Sequence, residues 1–550
     1  MRFLSILLLF VYLKATTPFI EEPLVYIDKT SCAELLNKRD PSSQINVYIP
    51  SIPYSYVSRL VNGTLLRVKD NEDGLEYMLA REIKQIDDLT YDVFLKKGIK
   101  FQDGTNFNAD SVVHNFKHFI AHPFTYTNIH NTLIEVKKLD EFSVRFFLNS
   151  PYGMFLNDLA SINIYSDEYL EKFSWMGGAT GDSMIEPGPY GLGPYILKEG
   201  FATGRKQTNE IILEANPYYY EEGKPYINSI KIFTEISSNE ALRRVLGENP
   251  TLDIAPIPFN KKIETVLSSE SKLITIPSMH NYTIYFNMIN PNSLFAKEEY
   301  RKAVVKAIDQ DNLLNFVYKK EGKLSPSAAS ANFTAIAKLK SSLKPQSYSL
   351  SKEEKNELFA LLNGTTFKVL TQDRFMFLWK GIEYQLKEYG VSLDYTITKS
   401  EKVIYENLLT NHDNPKDWDI LTWGNDDWYG NHPWTLFFTY NEGSEWSMIR
   451  DDPIMKELIA EFFRVKTGSP KYDELVKKIV LHASKKAYLL PVPSPNLVLA
   501  VNKEVSYTPS SSAIMPLWDA KISSLHRSVR KGGYPNECKK PFLPIRLKDE

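Results

Sequence analysis

Residues 80–107 read AREIKQIDDLTYDVFLKKGIKFQDGTNF, and this stretch indicates the fold more strongly than any other part of the chain. Over residues 89–95 apolar and polar side chains alternate, which is the period-two pattern of a half-buried β-strand. Gly98 and Gly104 each predict a turn, because glycine adopts positive φ angles that other residues avoid. The stretch therefore predicts a strand, two turns and a short second strand at Phe101 that leads into a helix.

The helix that follows is predicted over residues 109–121, with Asp110 or Ser111 as its N-cap. Its apolar residues define one face, and the opposite face carries three histidines one turn apart, His114, His118 and His122. These histidines are expected to point to solvent. An exposed histidine row can capture a metal adventitiously, but no carboxylate or cysteine completes a coordination shell nearby in the sequence. We therefore expect no functional metal site here.

Further motifs follow in an order that is typical of one protein family. They are Phe101-x-Asp103-Gly104-Thr105-x-Phe107, Gly191-Leu192-Gly193-Pro194-Tyr195, Asn216-Pro217-Tyr218-Tyr219-Tyr220, and the helical pattern from Arg301 to Asp309. Taken together, they make the chain resemble the bacterial extracellular solute-binding proteins of family 5. These are the periplasmic oligopeptide-, dipeptide- and nickel-binding proteins of ABC importers. The resemblance covers nearly the whole mature chain.

The resemblance implies an α/β fold with two lobes, the type II periplasmic-binding-protein fold of the large peptide-binding class, with an extra subdomain in the first lobe. The expected parts are a signal peptide (1–15), lobe I (16–70), the extra subdomain (71–187), lobe I again (188–277), lobe II (278–492) and a C-terminal return to lobe I (493–550). Two crossings between the lobes would form a double hinge, which lets them close on a ligand.

Secondary-structure patterns fill in this outline. Lobe I is expected to be strand-rich over residues 44–49 and 56–67, and the extra subdomain has a further strand pattern at 143–148 and a helix pattern at 154–159. Lobe II alternates helical and strand patterns, which favours an α/β lobe. Its predicted helices cover 300–318, 375–388, 453–463 and 472–488, and its predicted strands cover 368–371, 392–396 and 420–423.

Composition agrees with this outline. The chain has 550 residues, too many for one typical core, and therefore predicts at least two lobes. Its 65 basic and 67 acidic residues give a formal net charge of -2, which offers no case for nucleic acid as a partner. Its 32 Tyr and 8 Trp are mostly expected in the core, but they also suit a broad cleft that binds a ligand by stacking and hydrogen bonds.

The N-terminus predicts export. Arg2 precedes an apolar run over residues 3–13 that is short for a membrane span, and small residues follow within 14–17. No cysteine follows the run closely, so the lipoprotein anchoring of some relatives is not supported. A soluble periplasmic protein with a cleavable signal peptide is expected, and an uncleaved anchor is the alternative that the short run disfavours.

The chain has two cysteines, Cys32 and Cys538. The resemblance places both termini in one lobe, so in an oxidising compartment the two thiols could form a disulfide. Two unpaired, buried thiols are the open alternative.

Residues 325–346 depart from the family pattern. Relatives usually have a loop rich in Pro and Gly here, whereas this chain has small polar residues and then several lysines. Small polar residues favour a mobile loop. This departure puts in doubt any ligand contact that the family makes from this segment.

The best candidate for a ligand site lies where the strand over residues 420–423 runs into a segment rich in Gly, Asn and Asp. In peptide-binding relatives this strand end reads Trp-x-x-Asp, and the Asp pairs with the free α-amino group of the ligand. The resemblance thus implies Asp426 as the ammonium partner beside Trp423, with Asp427 as an alternative. The competing interpretation is a solvated acidic loop next to a core Trp423.

Nickel-chelate-binding relatives carry a similar motif, so nickel is the alternative ligand. Trp423-Gly424 is followed here by Tyr429 and His432, and a neutral imidazole suits nickel well. The candidate ligand-binding residues are Trp423, Asp426, Asp427, Trp428, Tyr429 and His432.

An enzyme is not expected. The sequence has no Gly-x-Ser-x-Gly elbow, no phosphate-binding Gly-x-x-x-x-Gly-Lys loop and no His-Glu-x-x-His zinc helix. Catalysis by a pair of carboxylates, as in glycosidases, leaves no local sequence signature, so the absence of these motifs does not bear on it. No cofactor is expected. The expected partners are a short peptide or a nickel chelate, and the permease and ATPase subunits of an ABC importer, with the protein itself a monomer.

Overall fold

The computed structural model describes most of the chain between the two termini. The described residues are 31–49, 54–69, 74–122, 129–173, 185–202, 207–246, 249–257, 270–327, 329–341, 350–399, 401–409, 411, 414–425, 435–442, 444–511 and 515–539. The predicted signal peptide (1–15) lies outside them.

Strands and helices alternate along much of the chain. The strands are β1 (Asp40–Tyr48), β2 (Leu66–Val68), β3 (Leu75–Tyr77), β4 (Ala80–Asp87), β5 (Thr90–Leu95), β6 (Leu133–Asp140), β7 (Ser143–Leu148), β8 (Tyr195–Glu199), β9 (Glu210–Ala215), β10 (Ile227–Phe233), β11 (Ile254–Pro256), β12 (Ser271–Pro277), β13 (Asn281–Phe286), β14 (Gly322–Lys323), β15 (Thr366–Gln372), β16 (Ser392–Thr398), β17 (Ile420–Asn425), β18 (Leu489–Leu490), β19 (Ser494–Asn502), β20 (Val505–Ser506) and β21 (Lys521–Ile522). The helices are α1 (Tyr54–Val61), α2 (Ala109–Ala121), α3 (Phe155–Leu159), α4 (Asp167–Phe173), α5 (Ser238–Leu246), α6 (Glu298–Ala307), α7 (Gln310–Asn312), α8 (Thr334–Ala337), α9 (Lys352–Leu362), α10 (Met376–Lys387), α11 (Glu401–Leu409), α12 (Thr435–Tyr440), α13 (Pro453–Arg464) and α14 (Pro470–Lys486).

Three larger sheets organise these elements. The long sheet has the order β12-β19-β11-β1-β10-β9-β8, with β14 paired to β19. A four-stranded sheet has the order β4-β5-β7-β6, and a five-stranded sheet has the order β16-β15-β17-β13-β18. The chain crosses from the long sheet to the five-stranded sheet between β12 and β13 and returns between β18 and β19. Two such crossings are the arrangement that a double hinge requires, whereas the residue bounds predicted for the lobes stay predictions.

Residues 80–95 form a hairpin rather than a lone strand. β4 pairs antiparallel with β5, and Leu89 lies in the turn between them, 37% exposed, and not at the start of the strand. The N-cap of α2 is Asn108, so the expectation of Asp110 or Ser111 is wrong. The Asn108 side chain accepts hydrogen bonds from the backbone of Asp110 and Ser111, and Ser111 caps Asn108 in return. This reciprocal pair satisfies backbone donors at the helix start.

Helix α1 occupies part of the segment over residues 56–67 that was expected to be strand-rich. Its buried apolar side chains are Tyr54, Val57, Leu60 and Val61, which recur at helical spacing. Aromatic and β-branched residues favour strands by propensity, but the spacing of apolar positions decides which element can bury them. Within this segment only Leu66–Val68 belongs to a named strand.

The predicted helices of lobe II are largely present, with one exception. The pattern over 300–318 is broken into α6, α7 and a π-helical turn over Leu313–Val317. The break follows from Asp309, whose side chain accepts hydrogen bonds from the backbone of Asp311 and Asn312 and so starts a new turn.

The serine segment, residues 325–333, is buried and hydrogen-bonded where it is described, so the expectation of a mobile loop is wrong there. Ser330 Oγ and Asn332 Nδ2 both donate to the carbonyl oxygen of Ser278, at 3.0 and 2.7 Å. The backbone N–H of Ala331 donates to Ser494 Oγ at 2.9 Å. Ser278 follows β12 and Ser494 begins β19, so this segment binds both crossings. The small side chains permit this close packing.

The two cysteines form a disulfide. Cys32 is bonded to Cys538, with their Cα atoms 5.7 Å apart. The backbone N–H of Leu36 also donates to the carbonyl oxygen of Ile522 at 2.8 Å. Both ends of the described chain are therefore held together, and the alternative of two free thiols is wrong.

A buried carboxylate anchors the C-terminal return to the long sheet. Asp253 is fully buried and accepts hydrogen bonds from the backbone N–H of Asn46 at 2.7 Å and from Asn502 Nδ2 at 3.1 Å. Arg527 Nη2 donates to it at 2.6 Å, and His526 Nε2 lies 2.9 Å from its Oδ1. Burial raises the pKa of Asp253, but the charges of His526 and Arg527 outweigh it and hold the pKa well below its usual range.

Candidate functional site

The site is built on one edge of the five-stranded sheet. β15 runs parallel to β17, and β13 runs antiparallel to β17 on its other side. The ends of β15 and β17 therefore meet the start of β13 at one place, the carboxyl edge, which is defined by Gln372, Asn425 and Asn281. In α/β sheets ligands bind outside the carboxyl ends of the strands. The segment predicted to bind the ligand leaves the sheet at this edge.

The structure describes one of the predicted site residues. β17 extends to Asn425, two residues beyond the predicted strand end at Trp423. The remaining predicted residues are Asp426, Asp427, Trp428, Tyr429 and His432, which lie outside the described residues. Their ligand contacts stay a prediction.

Trp423 is a buried residue that stacks on a second tryptophan. Its side chain is 6% exposed, and its ring lies 4.7 Å from that of Trp446, with an angle of 19° between the planes. In the neighbouring strand it faces the fully buried Thr283. Trp423 is therefore a packed part of β17, two residues before the strand ends at Asn425.

Arg374 is a site candidate that the sequence analysis missed. A Cβ on Gly424 would lie 3.9 Å from Arg374 Nη2 and 3.5 Å from Phe375 Cζ, so these side chains border the end of β17. Arg374 is exposed, its guanidinium lies 4.7 Å from the ring centre of Phe375, and its Nη2 donates to Gln372 Oε1 at 2.7 Å. The sequence contains a signal for Arg374, since it lies two residues after β15. A residue that closely follows a parallel strand lies at the carboxyl edge of the sheet.

Asn281 is the second missed residue. It is the first residue of β13, lies opposite Asn425 and is 2% exposed. Among the residues that the structure describes, neither its amide nitrogen nor its amide oxygen has a hydrogen-bond partner. Unpaired buried amides are rare because they lose their bonds to water. The carboxyl edge thus contains an amide with unused donor and acceptor capacity.

The histidine row of α2 lies on the surface, as its pattern predicted for His114 and His122, with His118 partly exposed. The fold places next to this row a carboxylate that is distant in sequence. His114 Nδ1 lies 3.1 Å from Asp167 Oδ1. Among the described residues no group of three or more His, Cys, Asp or Glu side chains is placed to hold a metal ion. In the same part of the chain, no helix is long and apolar enough to cross a membrane.

Comparisons with known proteins place these observations in a family. The model of the bacterial extracellular solute-binding proteins, family 5, matches residues 74–447. The oligopeptide-binding protein AppA of Bacillus subtilis is 24% identical over 294 residues, which are 53% of this chain and 51% of AppA. The chain thus spans about half the length of the curated relatives it matches.

Solved structures show the same fold. DppA from Helicobacter pylori, solved with the peptide STSA, is similar with a TM-score of 0.71 and 18% identity over 88% of this chain and 99% of DppA. NikA from Staphylococcus aureus, solved with Ni(L-His)2, gives a TM-score of 0.69 and 17% identity over 88% of this chain and all of NikA (100%). The α/β fold of the type II, peptide-binding class is therefore confirmed.

Proposed function

Because the chain belongs to the bacterial extracellular solute-binding proteins of family 5, we propose that it captures short peptides and delivers them to an ABC importer. Members of this family are extracellular or periplasmic, bind peptides or nickel chelates and work with ABC transporter permeases. Family and fold are those of binding proteins and not of enzymes. In this proposal the ligand is a short peptide, and the protein is exported to the periplasm by a cleavable signal peptide. It acts there as a monomer that docks to the permease and ATPase subunits.

The observation that carries the peptide proposal is the charge pattern of the carboxyl edge. A short peptide has a cationic amine at one end and an anionic carboxylate at the other. The exposed Arg374 borders the end of β17, and Asp426 and Asp427 follow that end in the sequence. Charge-assisted hydrogen bonds to these groups would satisfy both ends of a zwitterion.

Asp426 is the proposed partner of the ligand amine. Its spacing from Trp423 matches the Trp-x-x-Asp pattern of peptide-binding relatives. Trp423 is buried and stacked on Trp446, so Asp426 follows closely on a well-packed residue of β17. A carboxylate in a closed, water-poor cleft binds an ammonium group more strongly than one in solvent. Asp427 is the alternative partner.

The proposed mechanism is capture by closure. The open protein binds a ligand between its lobes, rotation about the two crossings buries the ligand, and the closed form presents it to the permease. Main-chain groups and trapped waters can satisfy a peptide backbone without selecting its side chains, which would give broad specificity.

Nickel-chelate binding is the second candidate function. Trp423-Gly424, Tyr429 and His432 are similar to the motif of nickel-binding relatives, and NikA shares the fold. His432 would supply the imidazole ligand.

Two measurements test the ligand class. Native mass spectrometry of the purified protein is expected to show a copurified short peptide. Tri-alanine is expected to raise the melting temperature without being hydrolysed, because a ligand that binds only the folded state stabilises it. The C-terminal amide of tri-alanine should stabilise less, since Arg374 then has no carboxylate to bind. Stabilisation by a nickel-histidine complex and by no peptide would reject the peptide proposal in favour of nickel.

Asp426→Ala tests the amine anchor. The substitution is expected to weaken tri-alanine binding by about tenfold to hundredfold and to affect N-acetyl-tri-alanine much less, because only the free amine is charged. Isothermal titration calorimetry measures both affinities, with Asp427→Ala as the matched control. Equal loss for both peptides would remove Asp426 from this role, and a selective loss in Asp427→Ala would transfer the role to its neighbour.

A further inference from the structure

Away from the crossings and the β14–β19 pair, the predicted lobes also touch where the turn before α3 meets the end of α13 and its connection to α14. The backbone N–H of Gly153 donates to the carbonyl oxygen of Phe463 at 2.7 Å. Thr467 Oγ1 shares its one hydrogen between the carbonyl oxygen of Gly153 and Asn157 Oδ1, each 3.4 Å away. Gly153 and Asn157 belong to the predicted extra subdomain, and Phe463 and Thr467 to predicted lobe II. We call this set of bonds the turn contact.

The turn contact leaves no room for a side chain at position 153. A Cβ on Gly153 would lie 1.9 Å from the carbonyl oxygen of Val465, 2.4 Å from its carbonyl carbon and 3.1 Å from Lys466 N. These three nearest atoms all belong to predicted lobe II. The φ angle of Gly153 is not in the left-handed region, so its own backbone accepts alanine. Alanine therefore conflicts with the joined lobes and not with the subdomain alone.

The subdomain holds its side of the turn contact in shape. Tyr152 OH donates to Asp158 Oδ2 at 2.6 Å, and the backbone N–H of Ile129 donates to the same oxygen at 2.9 Å. Tyr152 and Asp158 are both buried. The turn is therefore fixed by bonds within the subdomain and meets lobe II as a preformed surface.

We propose that Gly153 is a positioning residue for lobe closure, and that the turn contact forms when the lobes close and breaks when they open. Within the described residues, the chain passes between the long sheet and the five-stranded sheet at the two crossings, beside which β14 also pairs with β19, and the turn contact lies away from both. Opening can thus separate Gly153 from Phe463 without unfolding either lobe. The inference depends on the two-lobed fold and not on the identity of the ligand.

Gly153→Ala tests the proposal in the full-length protein. Hydrogen exchange followed by mass spectrometry is expected to show about tenfold faster exchange in peptides covering 152–157 and 463–467, because the closed state is disfavoured. Small-angle scattering should give a larger radius of gyration, with the melting temperature of the ligand-free protein unchanged. Gly533→Ala is the control, since a Cβ there meets nothing within 4 Å.

Tri-alanine separates this inference from the proposed function. If it binds the wild type, its affinity for Gly153→Ala should be about tenfold lower, because less of the protein is competent to close. If it does not bind, the peptide proposal fails for this ligand, and the exchange experiment still decides the role of Gly153. Thr467→Val keeps the backbone bond of the turn contact and should shift exchange in the same direction by less.

Two outcomes would overturn the proposal. One is unchanged exchange at both turns in Gly153→Ala. The other is a lower melting temperature with faster exchange throughout the four-stranded sheet, which would make Gly153 a folding residue of the subdomain. Should Gly153→Ala fail to fold, unchanged exchange in Thr467→Val would reject the closure role as well.

Discussion

Replacing Trp423 by alanine is expected to lower the free energy of unfolding by about 3–5 kcal/mol. The indole is 6% exposed and stacked on Trp446, so its loss leaves a cavity and removes an aromatic contact. Ligand affinity should also fall, because β17 ends two residues after Trp423 and Asp426 follows directly in the sequence. Chemical denaturation measures the stability change, and titration calorimetry with tri-alanine measures the affinity change.

Trp423→Phe separates the two effects. A phenyl ring keeps the stacking on Trp446 and most of the buried area, so stability should recover by more than half and tri-alanine affinity should stay near the wild-type value. A Trp423→Ala protein with wild-type stability but no ligand binding would contradict the core role. Trp423 would then be a ligand contact, as the sequence analysis predicted.

Replacing Asp253 by alanine is expected to destabilise the protein by about 3–5 kcal/mol at neutral pH. The substitution leaves Arg527 and the backbone N–H of Asn46 without their buried acceptor. Denaturant unfolding measures the change. Asp417→Asn is the surface control, because the Lys368–Asp417 pair is exposed and should contribute less than about 1 kcal/mol. Equal stabilities of Asp253→Ala and Asp417→Asn would rule out a structural role for the buried network.

The pH dependence of this effect has a definite sign. The pKa of Asp253 is lowered in the folded state, so its stabilisation is present above the unfolded pKa, about 3.9 for Asp. It is lost as the pH falls through the lower folded pKa. The stability gap between wild type and Asp253→Ala should therefore be constant near neutral pH and shrink below about pH 4. A gap that grows in acid would contradict the direction of the shift.

The sequence predicted those elements in which spacing and propensity agree. The bounds 109–121 for α2 and 143–148 for β7 are both confirmed. Helix α1 was missed, because its aromatic and β-branched residues favour a strand while its burial follows helical spacing. The serine segment was misjudged, because its partners Ser278 and Ser494 are distant in sequence.

The candidate site was predicted only in part for a related reason. The motif at Trp423 marked the right strand end, since the relevant residues are contiguous. Arg374 follows β15 and Asn281 begins β13, and the sheet order brings both residues next to the end of β17. The sequence alone did not decide whether Cys32 and Cys538 form a disulfide, because composition does not show whether the two residues come together in the fold.

The serine segment has a consequence for how the lobes move. Ser330 and Asn332 hold Ser278, and Ala331 holds Ser494, so both crossings are fastened to one short stretch of chain. The two crossings are therefore coupled through the serine segment, and we expect the lobes to rotate about a shared pivot. Because displacement grows with distance from the axis, a small rotation at this pivot moves the most distant parts of the lobes by a much larger amount. Removing the hydrogen bond that Ser330 or Asn332 donates to Ser278 should thus change the direction in which the lobes open as well as the free energy of opening.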